Sequence, residues 1–490
     1  MWMHATLAVS LLAMAAEPDE SPKSEAVVSS PTAIEPDRRG EGEGEGEKEL
    51  EGEGEGEGHS AGEGQGEGEG HGEGEGRSEG HSEGDGEPEL DGAEPEAAGP
   101  WFSEPEVEPT PVPDPRASVE TAASNEPPRT WTVGASVDAA YLLSTNFPRN
   151  HVYRGMVPTP RLGEVTPNVV AASIDHMITD QEPWRFELLL HAGAGVDALI
   201  EPEPVPGGAG GRYAGAEVFK HIGLANAGFR LRSGTTIEGG LLPAPLGLEW
   251  FWPHRNAHQT VSWTANGTPF YLMGGHVSQA LPAGLTVFAW VVNGWQTMAD
   301  ANGVPSYLAG LSWAPRDELL AAAMLYFGPD DLDVSPEAWR VHGDAFVSWS
   351  GERLGLAAVW DAGRERVTSL PGAPVALWTG GALFARGTVL SREHATLDLA
   401  ARPEAWWDRD GRIFGVAQWL VSATGTMSVH LYRHLTVRTE YRFDHSTAPE
   451  GFFFRRTATT DGALGLARNQ HVILLSLAGY VRHAFALRRP

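Results

Sequence analysis

The sequence predicts an all-β fold: an antiparallel, up-and-down transmembrane β-barrel of about sixteen strands, preceded by a long disordered acidic segment rich in Glu, Gly and Pro. Three observations carry this reading. From Leu435 to Asp444 a mostly apolar series, broken by Thr439, alternates with a mostly charged one, opened by Thr436, and the same two-residue period recurs over roughly the last 360 residues. Turn signals in that stretch alternate between short and long. Aromatic residues recur ten positions apart on one face of a strand, as in Trp131 with Tyr141 and Trp339 with Trp349.

Taken in chain order, residues 1–16, MWMHATLAVSLLAMAA, read as a signal peptide ending in the small-x-small pattern Ala13-Met14-Ala15. The stretch lacks Lys and Arg before its apolar run, and a buried N-terminal helix is the alternative. Residues 17–129 carry Glu-Gly dipeptides between Gly40 and Gly86, then Pro and Glu up to Pro128. High charge and few large apolar side chains leave nothing to offset the entropy of ordering, so this low-complexity segment is expected to be disordered. A flexible chain of that length spans roughly 60 Å, and more when it repels itself. Gly58-His59-Ser60-Ala61-Gly62 matches the nucleophile elbow, which needs a strand before it and a helix after it; Glu-Gly repeats provide neither. His59, His71 and His81 lie among carboxylates without fixed geometry, and a solvated spacer explains them.

Residues 17–130 hold 34 of the 66 acidic side chains and 7 of the 35 basic ones, net −27; the remainder holds 32 and 28, net −4. Neither part offers the concentrated basic surface that nucleic acid requires. With no cysteine, disulfides and thiolate metal sites are excluded.

Residues 130–490 form the expected barrel domain. The longest apolar run, Leu319 to Phe327, is far short of the ~20 residues of a membrane helix, so any insertion must use a closed sheet. Short connections fall at Asp180–Glu182, Arg232–Gly234, Pro282–Gly284, Pro315–Asp317, Gly351–Arg353, Ser391–Glu393 and Tyr432–His434. Long ones fall near 143–167, 200–216, 243–268, 294–305, 328–338, 361–375, 408–413 and 444–468. Membrane barrels show this asymmetry and soluble sandwiches do not. Ten residues at ~3.3 Å each, tilted by ~40°, rise roughly 25 Å, the height of the apolar band between aromatic girdles. One strand, Leu285 to Val292, is apolar on both faces, so its inner side cannot be assigned by parity.

Several motifs have a familiar order. Asn293-Gly294-Trp295 follows an apolar strand, Arg402-x-Glu404-x-x-x-Asp408 precedes Gly411, and Arg438-x-Glu440-x-Arg442-x-Asp444-x-Ser446 lies near the end. Over about residues 131–485 the chain resembles the outer-membrane β-barrel porins of the OmpL-like type. The resemblance implies an outer-membrane channel for small hydrophilic solutes or ions, without an enzymatic role. Two departures stand out. Pro403 falls inside a strand, where it suggests a bulge or a strand end. The chain also continues five residues beyond the aromatic Phe485, on which barrels of this type usually finish.

Parity points Arg438, Glu440, Arg442 and Asp444 into the lumen, with Arg402, Glu404, Asp408 and Asp398 on a neighbouring part of the wall. Facing charges of both signs set a transverse field that favours polar solutes, and the same arrangement is a bracing lattice of ion pairs. The third long connection contains Glu249-Trp250-Phe251-Trp252-Pro253-His254-Arg255 and His258. Folded inward, it buries Trp250 and Trp252 and brings Glu249, His254 and Arg255 to a constriction; the alternative is an aromatic girdle continued over the rim. His254 and His258 have helical i, i+4 spacing, but Pro253 argues against a helix and no third ligand is evident. No metal, cofactor or catalytic residue is expected.

The reading is therefore a porin in the bacterial outer membrane with a periplasmic acidic segment. Its partners are outer-membrane lipid, small hydrophilic solutes and the barrel-assembly machinery; a monomer and a homotrimer both fit. The alternative is a non-conducting barrel anchor whose acidic arm binds envelope components or cations. A hydrolase at the barrel rim needs a Ser or Asp beside a His, and the sequence offers no such constellation.

Overall fold

The computed structural model describes residues 131–179, 181–200, 219–300, 302–329, 336–458 and 464–485. The signal peptide expected at 1–16, the acidic segment at 17–129 and the five residues after Phe485 lie outside the described residues.

The strands follow one another as alternating residues demand. The first eight are β1 (Trp131–Ser144), β2 (Val165–His176), β3 (Trp184–Ala192), β4 (Ile222–Arg230), β5 (Thr235–Pro243), β6 (Tyr271–Leu281), β7 (Leu285–Val292) and β8 (Ser306–Arg316). Next come β9 (Leu319–Pro329), β10 (Trp339–Ser350), β11 (Leu354–Arg366), β12 (Val375–Arg392), β13 (Ala395–Asp408), β14 (Gln418–Leu431) and β15 (Leu435–Ser446). A small hairpin of β16 (Phe453–Ala458) and β17 (Leu464–Ala467) interrupts the series before β18 (Asn469–Phe485). Strands β1 to β15 pair in chain order, β15 pairs with β18, and β18 closes onto β1 from Trp131↔Phe485 to Ser144↔Val472. The result is a closed barrel of sixteen antiparallel strands with no free edge. Among the described residues no helix is long and apolar enough to cross a membrane.

Seven short and eight long connections alternate between the strands as the turn signals predict, with bounds that differ at several of them. The three-residue turn 432–434 holds Tyr432 and Arg433 at positive φ, 50° and 60°, and is closed by His434 N donating to Leu431 O at 3.1 Å. The long connections, here L1 to L8, cover 145–164, 193–221, 244–270, 293–305, 330–338, 367–374, 409–417 and 447–468. L2 contains helix α1 (Ala194–Ile200) and L3 contains the single turn α2 (Trp263–Asn266).

Three details differ from expectation. Strand β11 runs on to Arg366, so the segment from Asp361, expected as loop, is wall: Glu365 turns inward while Arg364 and Arg366 turn outward. The last long connection folds its own hairpin, β16–β17. Pro403 makes neither a bulge nor a strand end. Its pairing with Ala423 of β14 is in register, and on the β12 side the ladder lapses at Arg402 and Pro403, then resumes in the same register. A proline lacking its donor is accommodated where only one neighbour calls for it.

Exposure alternates along each strand. On β1 Val133, Val137 and Tyr141 face out, and on β10 Trp339 and Trp349 do, whereas Asp138 and Leu142, and His342 and Asp344, are buried inside. Apolar clusters fill much of the interior. One joins Tyr153 of L1, Trp263 of L3, Phe414 of L7 and Phe452 of L8.

Candidate functional site: an inward loop clamped by a charged ladder

The inward positions of β13, β14 and β15 form rows across the wall. Glu404, Ser422 and Asp444 share one row, Arg402, Thr424 and Arg442 the next. A hydroxyl strand thus separates like charges, and opposite charges stack along the barrel axis. Arg442 lies between the rows: its Nε donates to Asp444 Oδ1 at 2.7 Å and its Nη2 is 3.1 Å from Glu404 Oε1. Arg402 Nε donates to Glu404 Oε1 at 3.3 Å.

L3 lies against this ladder, and five charged side chains of the wall engage its backbone. Arg438 donates to Pro253 O at 2.7 Å and to Asn256 O at 2.6 Å. Glu440 accepts from Gln259 N at 2.7 Å, Thr260 N at 3.1 Å and the Thr260 hydroxyl at 2.5 Å. Arg402 Nη1 donates to Thr260 O and Arg442 Nη1 to Val261 O, at 2.7 and 2.8 Å. Glu404 accepts from Trp263 N at 2.5 Å. A loop carried into a barrel loses water from its backbone, and these charge-assisted bonds replace it.

On the loop, Glu249 bridges wall and loop: Oε1 accepts from Arg402 Nη1 at 2.7 Å and Oε2 from Ser262 N at 2.8 Å. His254 stacks on Tyr480 of β18 with ring centroids 6.1 Å apart. Arg255 covers Trp250 and Trp252 at 4.8 and 5.4 Å. His254 and Arg255 belong to a 3-10 turn, Pro253–Arg255, which Pro253 initiates. The loop also reaches wall on either flank of the ladder: Phe251 meets His191 of β3, and Gly247 N donates to Asp344 of β10.

Asp408 has a different local task. Its carboxylate accepts from the backbone N–H groups of Arg412, Ile413 and Phe414 at 2.8 to 2.9 Å, holding L7 in a turn that also needs Gly411 at φ 72°. Asp398 shares a row with Ser428 and Arg438 and pairs with Arg386, Thr388 and His430. In the Asn293-Gly294-Trp295 triplet, Trp295 packs on Tyr326 and His342, and Arg340 lies 4.7 Å above its ring.

Parity did not single out several partners. Asp138 of β1 accepts from Gln259 at 2.8 Å and from Asn168 at 2.9 Å. His258 Nδ1 is 2.7 Å from the Thr426 hydroxyl, and the Trp263 indole donates to Ser422 at 2.7 Å. The alternating Ser422, Thr424, Thr426 and Ser428 were the available signal. Burial, aided by Arg402, Arg438 and Arg442, holds the His258 imidazole well below its ordinary value, so it is neutral. Burial and the Asp444 carboxylate raise the Tyr153 hydroxyl well above the ordinary tyrosine range, keeping it a donor to Asp444 Oδ2 at 3.0 Å.

A closed barrel with a long connection folded inside and charges of both signs on its inner wall defines a class: outer-membrane porin-type barrels. Residues 130–478 match the family described as "Putative beta-barrel porin-2, OmpL-like", and the chain belongs to that family. No curated protein matches the chain. Among solved structures it is similar to an anion-selective porin from Comamonas acidovorans, at 9% identity and a TM-score of 0.46, covering 72% of this chain and 99% of that one. OprB of Pseudomonas putida matches at 10% identity, covering 72% and 94% with a TM-score of 0.44. The outer-membrane channel DcaP of Acinetobacter baumannii matches at 10%, covering 71% and 96% with a TM-score of 0.41.

Proposed function

We propose that this protein is a non-enzymatic outer-membrane porin, a water-filled channel for passive diffusion of small hydrophilic solutes or ions. Its short turns and N-terminal acidic segment lie on the periplasmic side, and L3 is its constriction. The observation that carries this reading is the anchoring of L3 inside the barrel through its backbone to Arg402, Glu404, Arg438, Glu440 and Arg442. A constriction must keep its shape in water while presenting polar groups to solutes. A loop bonded to fixed charges does both. Glu249, His254, Arg255 and His258 are the loop's own charged or ionisable groups, and charge of both signs gives weak ion selectivity.

One observation favours the second reading, a plugged barrel that anchors an acidic arm. The seven wall charges from Arg402 to Asp444 are at most 5% exposed, and L1, L3, L7 and L8 share an apolar cluster. Single-channel current of the intact mature protein in a planar bilayer decides between them. Stable ohmic steps support the porin reading. A folded, heat-modifiable barrel that passes no current supports the anchor.

A further inference from the structure

Most outward positions of the barrel are apolar, but one sector changes character at its long-loop end. On β11 the outward series runs Leu354, Leu356, Ala358, Trp360 and Ala362, then Arg364 and Arg366, both exposed. Arg364 pairs across the sheet with Leu377 of β12, and Arg366 with Val375. From the opposite side of β12, Arg409 donates its N–H to Leu377 O at 3.0 Å and its Nη2 to Val375 O at 2.6 Å. Three arginines thus bracket the same two residues.

Among the described residues the carboxylates of this sector are Glu337, Glu365 and Asp410. Glu365 turns inward and is taken by Arg340 and Arg412, at 2.7 and 2.6 Å. Asp410 pairs with Arg409 at 2.8 Å, but both side chains are about two-fifths exposed, where an ion pair contributes little. Arg364 and Arg366 have no ion pair or hydrogen-bonded side-chain partner among the described residues. Among those residues, no other arginine takes an outward position at the long-loop end of a barrel strand.

Depth identifies what faces them. Trp339 of β10, which the register sets beside Arg366, and the stacked pair Trp407 and Trp419, 5.7 Å apart, whose row meets Ala362 next to Arg364, mark the aromatic level of this sector. Aromatic belts sit where hydrocarbon meets headgroups. Arg364 and Arg366 lie at that level, and Trp360, four residues or ~13 Å along the strand from Arg364, lies deeper. The two arginines are thus at headgroup depth, and the fixed fork of a guanidinium matches phosphate oxygens.

We propose that Arg364, Arg366 and Arg409 form a docking surface for the phosphate groups of an anionic lipid in the outer leaflet. The surface goes beyond the channel reading and rests on its orientation, with the long connections outside.

The test uses the full-length protein reconstituted in phosphatidylcholine vesicles doped with bisphosphorylated lipid A, with retained lipid A read by native mass spectrometry. Arg364→Ala combined with Arg366→Ala loses retained lipid A several-fold, while the double Lys variant keeps part of it. Heat-modifiability confirms that each variant is folded. Unchanged retention in the Ala variant overturns the proposal, as does equal retention of dephosphorylated lipid A by the native protein. A changed oligomeric state with unchanged lipid A assigns the surface to a second copy of the chain and also overturns it. Because the chain has no cysteine, Ser369→Cys in L6 gives a clean orientation readout. Labelling of intact cells by an impermeant maleimide supports the outer-leaflet assignment, and labelling only after permeabilisation overturns it, independently of whether the pore conducts.

Discussion

Strands β15 and β7 obey the same alternation and differ in what they turn inward. Outside, β15 shows Val437, Thr439, Tyr441 and Phe443, and β7 shows Val287, Ala289 and Val291, both mainly apolar as lipid requires. Inside, β15 presents Arg438, Glu440, Arg442 and Asp444, and β7 presents Thr286, Phe288, Trp290 and Val292. The charged face grips L3 by its backbone; the apolar face packs against Leu308 and Tyr326 with partly buried Trp295 beside them. Lipid dictates the outer face of every strand, whereas the inner face answers only to what fills the barrel beside it.

The strongest way to break this contrast is Glu440→Ala. It leaves three L3 donors without their acceptor and Arg438 and Arg442 with less counter-charge, at an expected cost of about 3–5 kcal/mol. The urea unfolding midpoint falls accordingly, and single-channel conductance rises as L3 loosens. Unchanged conductance would separate the ladder from any constriction. Glu440→Gln keeps an acceptor in place and has a smaller effect on both readouts.

Acidification probes the same contact from the loop side. The folded protein keeps His258 neutral, whereas the unfolded imidazole takes up a proton near pH 6.5. Below that pH the unfolded chain binds more protons, so stability drops as pH falls from 6.5 to 5, by up to ~2 kcal/mol from this residue. His258→Asn removes that part of the pH dependence. Equal slopes in native and variant unfolding curves would refute a buried neutral imidazole.

The smallest effect belongs to the apolar wall. Phe288→Leu on β7 costs about 1 kcal/mol and leaves conductance unaltered, because packing tolerates a similar volume where a charge network does not tolerate a lost partner. A conductance change there would show that L3 depends on both walls alike.

Much of the barrel was legible because the rules behind it are local. Alternation at Leu435 to Asp444, the pair Trp131 and Tyr141, and the turn signals each follow from a strand crossing a slab of lipid. Where local signals misled, a long-range partner was responsible. The Arg364-Glu365-Arg366 run reads as loop until Glu365 meets Arg340 and Arg412. Pro403 reads as a break until one neighbouring strand is seen not to need its donor.

By itself the sequence determined a barrel of about sixteen strands and, on most of them, the outer face and the inward direction of the charges, since lipid selects side chains one position at a time. Only the tertiary structure decided what those charges hold. Glu440 meets Thr260 across 180 residues of chain, and Arg402 meets Glu249 across 153. No periodicity encodes such a meeting; it follows from closing the barrel around a loop whose backbone had to be bonded once water was displaced.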